Sequence, residues 1–210
     1  RVNGLIDDCG KIVGEGKAKV GWFDTSTLKE PYRIEGKKTM GLELAEQLGW
    51  RLPDVIVYPT GGGTGMIGMW KAFAELREMG WLDSRSVLPQ MVSAQAEGCA
   101  PIVRAFAEHA DRARPWENPS THASGLRVPG PLGDRLILRA LYESRGAAGA
   151  ASEAAIREAT ARIGRVTGID AAPEGGCALA VCAQLVAAGD VARDAEVVVF
   201  NTGSGAGYRD

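Results

Sequence analysis

Side chains that usually announce a chemistry are scarce in this chain of 210 residues. It has two histidines and four cysteines, and Cys9, Cys99, Cys177 and Cys182 form neither a C-x-x-C pair nor a zinc spacing. A cysteine-built metal centre is therefore excluded, and no metal is expected. The four thiols read as reduced, mostly buried small residues of a cytoplasmic protein. Cys177, after Gly175-Gly176 near a helix start, is read as core rather than as an activated thiol. With a net charge of −2 and no basic stripe, nothing supports binding to nucleic acid through phosphate neutralisation. No apolar run is long enough to span a bilayer, and the first residues lack the layout of a secretory signal. Neither a nucleic acid nor a membrane is expected as a partner.

Glycine, by contrast, is abundant at 28 residues. Val55-Ile56-Val57-Tyr58-Pro59-Thr60-Gly61-Gly62-Gly63-Thr64-Gly65-Met66-Ile67-Gly68 runs from a β-branched stretch through a triple glycine into a helical pattern. That order predicts strand, tight turn and helix. Glycine carries no Cβ and accepts positive φ, so several backbone N–H groups can converge on one anion. The helix that follows points its positive end at the same spot. A phosphate cradle is the expectation, with Gly61, Gly62, Gly63, Thr64 and Gly65 as its members. Residues 63–68 also spell G-x-G-x-x-G, the dinucleotide pattern, which wants an acidic residue about 20 positions on. Asp83 has that spacing but sits in a connection rather than at a strand end. No lysine follows Gly65 or Gly68 directly, so the G-x-x-x-x-G-K-[ST] triphosphate loop is absent.

Elsewhere strand and helix alternate. Residues 14–21 read as a charged connector and 23–33 as a hydroxyl-rich loop ending in a proline turn; a helix carrying Met40, Leu44, Ala45 and Leu48 follows and stops at Gly49. Met66, Met69, Trp70, Phe73, Leu76 and Met79 recur at helical spacing and are assigned to core. Met91-Val92-Ser93-Ala94 is a strand, and Pro101 opens a helix expected to reach His109, a surface group. His122 lies in an irregular stretch and is a weak candidate base. Residues 147–151 read as a short buried strand, and Ser152 as the cap of the next helix. A further strand-and-turn is expected at 169–176, and a buried strand at 196–200 delivering Asn201-Thr202-Gly203-Ser204-Gly205. The fold class is α/β: an open, mostly parallel twisted sheet with helices on both faces. Ligands of such sheets sit beyond strand carboxyl ends, so one ligand touching the glycine turns after Pro59, Pro173 and Asn201 is the economical reading. Thr202 offers a neutral hydroxyl to a ring nitrogen.

Taken together, Glu30-Pro31-Tyr32-Arg33-Ile34-Glu35-Gly36-Lys37-Lys38-Thr39, the 58–65 turn, Thr121-His122-Ala123-Ser124-Gly125-Leu126-Arg127-Val128-Pro129 and the 201–205 turn resemble threonine synthase across essentially the whole chain. The resemblance implies the large domain of a fold-type II pyridoxal-phosphate enzyme. It implies pyridoxal 5′-phosphate as cofactor, its phosphate on residues 61–65 and its pyridine nitrogen facing Thr202. It also implies that Arg33 binds the phosphate of a phosphorylated amino acid, O-phosphohomoserine, which is converted to threonine. Residues 1–35 would close the small domain and cross over, and residues 36–210 would form the cofactor-binding domain.

One departure stands against these matches. The family's Schiff-base lysine has no counterpart among Lys11, Lys17, Lys19, Lys29, Lys37, Lys38 and Lys71, all read as surface or linker groups, and the family's asparagine motif for the 3-hydroxyl is missing too. The chain is expected to be the second half of the enzyme, inactive alone, with the N-terminal half of the same enzyme as partner and a homo-oligomer as its assembly. No catalytic residue is assigned within it. The alternatives are another enzyme of this cofactor class (a serine/threonine dehydratase, or a cysteate or cysteine synthase) and a non-catalytic module that binds phosphate esters.

Overall fold

The computed structural model describes residues 2–4, 6–83 and 86–209, apart from the side chain of Asp7. The chain begins with helix α1 (Ile6–Val20), and the second half of that helix replaces the connector expected at 14–21. Lys11–Asp8 at 2.9 Å and Lys19–Glu15 at 3.0 Å are pairs at helical spacing that support it.

Helix α2 (Tyr32–Gln47) starts earlier than its apolar stripe announces, so Arg33 stands in its first turn. It packs along α3 (Thr64–Glu78) at close range. A Cβ on Gly68 would come within 2.8 Å of the Lys37 backbone carbonyl carbon, and one on Gly41 within 3.1 Å of Ala72. The two glycines let the helices approach. Lys38, assigned to the surface or a linker, is instead largely covered and joins Glu35 of α2 at 2.8 Å to Glu75 of α3 at 2.6 Å.

Four strands, β1 (Val55–Pro59), β2 (Gln90–Ala96), β3 (Ala147–Ala151) and β4 (Val197–Val199), form one sheet among the described residues, ordered β3-β2-β1-β4. Every pairing is parallel, with Val57 opposite both Val92 and Val199, and Ala94 opposite Gly149. Period-two alternation sorts the strand side chains onto two faces. Ile56, Tyr58 and Met91 pack with Met66, Met69, Phe73 and Leu76 of α3 and with residues of α4 (Pro101–Ala107) and α5 (Asp134–Glu143). Val55, Val57, Val92 and Ala94 face α6 (Glu153–Thr167) and α7 (Pro173–Ala188) through Ile156, Cys177, Ala178 and Val181. The α/β reading, with helices on both faces of a parallel sheet, is what the structure shows. Ser152 caps α6 as expected, accepting from the Ala155 N–H at 3.3 Å.

Five local expectations change. Residues 169–172 are not a strand: Gly168 ends α6 at φ 73° and Pro173 opens α7, leaving a helix-to-helix turn in which only Ala171 bridges, to Ser204. Strand β4 is half-buried, because it lies at the edge and pairs with β1 alone. Strand β3 is also mostly half-buried, for it occupies the other edge. Helix α4 stops at Ala107, and His109 takes a left-handed φ of 53° beyond it. Met79, assigned to core, is left exposed just beyond the end of α3.

Candidate functional site

The glycine turn is built by subtraction of side chains. At its entrance, fully buried Thr60 donates its hydroxyl to the Tyr58 carbonyl at 2.9 Å, and its own carbonyl accepts from Gln95 Nε2 at 2.9 Å. Gln95 Oε1 accepts from the Ile102 and Val103 N–H groups at 2.9 and 3.2 Å, so one buried amide fixes the end of β1 to the start of α4. A Cβ on Gly61 would lie 2.1 Å from the Gly125 carbonyl oxygen, and one on Gly65 would lie 2.1 Å from the Tyr58 hydroxyl. Gly63 has a φ of 74°, which favours glycine, and its Cβ position is taken by Ile137 Cδ1. Only the Gly62 side is open, 3.7 Å from Thr27 Cγ2.

Helix α3 makes its first backbone bond from Ile67 N–H to the Gly63 carbonyl at 3.0 Å. Among the described residues, the amides of Gly61, Gly62, Gly63, Thr64 and Gly65 donate to no protein acceptor. The unsatisfied donors of a helix start stand together with the positive end of its dipole, the arrangement that binds an anion. None of this needs a charged side chain.

A cleft of about 340 Å³ opens at this turn. Gly61, Gly62, Gly63 and Thr64 line one wall, and Thr202, Gly203, Ser204 and Tyr208 line another. Ser124, Gly125 and Glu174 join the two. Thr202 is thus brought to the cradle from the tip of β4, whereas the glycines of the third expected turn, Gly175 and Gly176, lie buried inside α7, and only Ala172 and Glu174 beside them line the cleft. Gly65 stands just behind the wall, where its lack of a side chain admits Tyr58. Arg33 does not line the cleft. It is exposed, with Nη1 donating to Thr27 Oγ1 at 3.1 Å, and Thr27 Cγ2 lies 3.7 Å from where a Cβ on Gly62 would sit.

Glu174 and Tyr208 escaped the sequence reading, and Ser124 entered it only as part of the 121–129 stretch, with no role of its own. Buried Glu174 accepts from the Gly125 N–H at 2.8 Å and from the Tyr208 hydroxyl, and Tyr208 is 2.8 Å from Ser124 Oγ. Burial, reinforced by the bond to Glu174, pushes the Tyr208 phenol above its ordinary range, so it stays protonated. The partners are 34 and 84 positions apart, and no local pattern signals such a pairing.

Other candidates fall outside the cleft. The His122 imidazole bonds Glu153 at the start of α6. Burial pushes the Glu153 carboxyl up, but hydrogen bonds from Thr121 and His122 outweigh it and hold the group below its usual range. Cys177 is fully buried, and burial drives its thiol to about 12, which removes it from nucleophilic chemistry. Asp83 lines a larger cavity of about 880 Å³, together with Asp54, Val55 and Gln90 at the opposite ends of the strands. It cannot serve a ligand seated on residues 61–65, which argues against a dinucleotide site. Among the described residues there is no cluster of metal-ligating side chains and no helix long and apolar enough to cross a membrane.

The pyridoxal-phosphate dependent enzyme family profile matches residues 1–203. This chain belongs to that family. Among curated relatives, the threonine synthase of Methanocaldococcus jannaschii is 34% identical over 98% of the chain and 50% of its own length. That of Methanosarcina acetivorans is 38% identical over 82% of the chain and 42% of its own length. The chain therefore spans about half the length of the curated relatives it matches. A solved structure of processed threonine deaminase isoform 2 from Solanum lycopersicum superposes with a TM-score of 0.76 at 17% identity, covering 97% of this chain and 55% of that one. Maize serine racemase gives 0.71 at 18% identity, covering 96% of this chain and 58% of that one. The fold is that of a fold-type II pyridoxal-phosphate enzyme, and the family cofactor is pyridoxal phosphate. The cleft fits that cofactor: the unpaired amides of the glycine turn line one wall, the neutral Thr202 hydroxyl lines another, and the Glu174 carboxylate between them is already engaged by the Gly125 N–H and the Tyr208 hydroxyl.

Proposed function

We propose that this chain is the cofactor-phosphate half of a threonine synthase, acting on O-phosphohomoserine to yield threonine and phosphate. Residues 36–210 would be the cofactor-binding domain, and residues 1–35 the end of the small domain and its crossover. In this reading the amides of Gly61, Gly62, Gly63, Thr64 and Gly65 hold the cofactor's 5′-phosphate. The Thr202 hydroxyl bonds the pyridine nitrogen without requiring its protonation. Arg33 presents a permanently charged planar fork to the substrate's phosphate. When bound, pyridoxal phosphate supplies the electron sink for carbanions formed as phosphate is lost and water is added. The chain's own residues bind and orient, and the catalytic lysine is assigned to the other half of the enzyme. None of the cleft-lining residues is a lysine, and Lys71 is engaged by Glu35. The proposed partners are the phosphorylated amino acid, that other half, and further copies of the chain in a homo-oligomer.

The observation that carries this reading is the meeting of Gly61–Thr64 amides and Thr202 in one cleft. The sister activities share the cradle, so Arg33 separates them. With the other half supplied, Arg33→Ala should lower kcat/KM for O-phosphohomoserine by about a hundredfold, the size of a lost charged phosphate contact of 2–3 kcal/mol, and change turnover of free serine little. Equal losses on both substrates would assign the chain to another enzyme of this cofactor class. Binding of NAD in preference to pyridoxal phosphate would overturn the reading altogether.

A further inference from the structure

The tail that carries Thr202 is exposed from Asn201 to Ser204. Most of its anchors reach the turn before α7. Ala172 N–H donates to the Gly203 carbonyl at 3.0 Å, Gly205 N–H to the Asp170 carbonyl at 3.0 Å, and Ser204 Oγ to Asp170 Oδ2 at 3.3 Å, while Arg209 pairs with Asp170. These bonds hold the tail to its own wall and say nothing of its distance from the glycine turn. Tyr208 is different. Its hydroxyl crosses to Ser124, the neighbour of Gly125, and the Gly125 carbonyl fills the space beside Gly61. The same hydroxyl bonds Glu174, which also accepts from the Gly125 N–H. Among the described residues, Tyr208 makes the side-chain bond from the tail to the loop that abuts the cradle.

We infer that Tyr208 is a positioning residue, whose hydroxyl, clamped by Glu174 and Ser124, sets the span between the phosphate end and the ring-nitrogen end of the cleft. The inference rests on the cofactor-binding reading above and adds a residue to it. Tyr208 acts through Thr202 and need touch no reacting atom. A ligand that uses both ends should feel its loss, and a ligand that uses the phosphate end alone should not.

Pyridoxine 5′-phosphate is a suitable probe, because it keeps ring nitrogen and phosphate but lacks the aldehyde that would react with surface lysines. Phenyl phosphate has the same kind of ester and no ring nitrogen. Calorimetric titration of the full chain should show Tyr208→Phe binding pyridoxine 5′-phosphate about five- to tenfold more weakly, the worth of one hydrogen bond, with phenyl phosphate changed by less than about twofold. Glu174→Gln, which keeps a carbonyl acceptor for Tyr208, should recover most of the affinity that Glu174→Ala loses. Equal weakening of both probes would reveal a general structural role and overturn the inference, as would no change in either or no recovery by Glu174→Gln. If the unaltered chain binds neither probe, the cradle reading fails and takes this inference with it. If it binds both equally, the cradle stands and the assignment of Thr202 and Tyr208 to the ring nitrogen falls.

Discussion

The two walls of the cleft are held by different forces. The glycine turn is continuous with the core: Gly61, Gly63 and Gly65 have their Cβ positions occupied by a backbone carbonyl, Ile137 and Tyr58, and α3 behind them buries Met66, Met69, Phe73 and Leu76 completely. The Thr202 tail is exposed and rests on a handful of polar bonds. Close packing resists small displacements because nearly every shift makes a clash, whereas a hydrogen-bonded tail moves with the loss of about 1 kcal/mol per bond. The glycine-turn wall is thereby preset, and the Thr202 wall is adjustable.

Five perturbations test that contrast, from the largest effect to the smallest. Phe73→Ala should remove about 3–5 kcal/mol of stability by emptying the centre of the α3 face, read from urea unfolding. A loss below about 1 kcal/mol would mean that the wall is not held by packing. Gly61→Ala should cost about 1–3 kcal/mol, because the Gly125 carbonyl is backbone and must give way, and phosphate esters should no longer bind. Thr202→Val, at an exposed position, should leave stability within about 0.5 kcal/mol while weakening pyridoxine 5′-phosphate alone. Were Gly61→Ala silent and Thr202→Val destabilising, the contrast would be inverted.

The fourth perturbation is pH. Lys38, and after it Lys71, holds the Glu35 carboxyl below its ordinary 4.5, so this carboxylate stabilises the fold above 4.5 and the gain is lost as pH falls through the lower folded value. Glu35 and Glu75 raise Lys38 above its ordinary 10.5, so that contribution is complete below 10.5 and disappears as pH rises through the higher folded value. The difference in urea midpoint between the parent chain and Glu35→Gln should therefore be present at neutral pH and vanish in acid. A difference that grows in acid would contradict the pairing. Last and smallest, Cys177 should resist alkylation at pH 8 until urea unfolds the chain, as expected of a buried thiol near 12. Rapid labelling of the folded chain would place it at an accessible site.

Much of this was legible in order along the chain. The run from Val55 to Gly68 specifies strand, turn and helix by β-branching, proline and glycine, and local chemistry of that kind survives whatever surrounds it. Thr202 was legible as a strand-end hydroxyl. What was not legible is long-range or depends on position in the sheet. Glu174, Tyr208 and Gln95 gain their roles from contacts across the fold, and Lys38 reads as solvent-facing until α2 meets α3. Residues 169–172 stand before a proline as a strand end would, but Gly168 and Pro173 confine them between two helices. Burial of β3 and β4 depends on which strands sit at the edges, and composition does not encode sheet order.

The central claim is that a side-chain-poor turn and a separate strand tip receive the two ends of one cofactor. Amide nuclear magnetic resonance of the labelled 22.1 kDa chain, titrated with pyridoxine 5′-phosphate, addresses it directly. The account predicts the largest shifts at the N–H groups of Gly61, Gly62, Gly63, Thr64 and Gly65, with a second set at Thr202 and Gly203 at the same ligand concentration. Shifts centred instead around Asp54, Asp83 and Asp190, at the other end of the sheet, would contradict it.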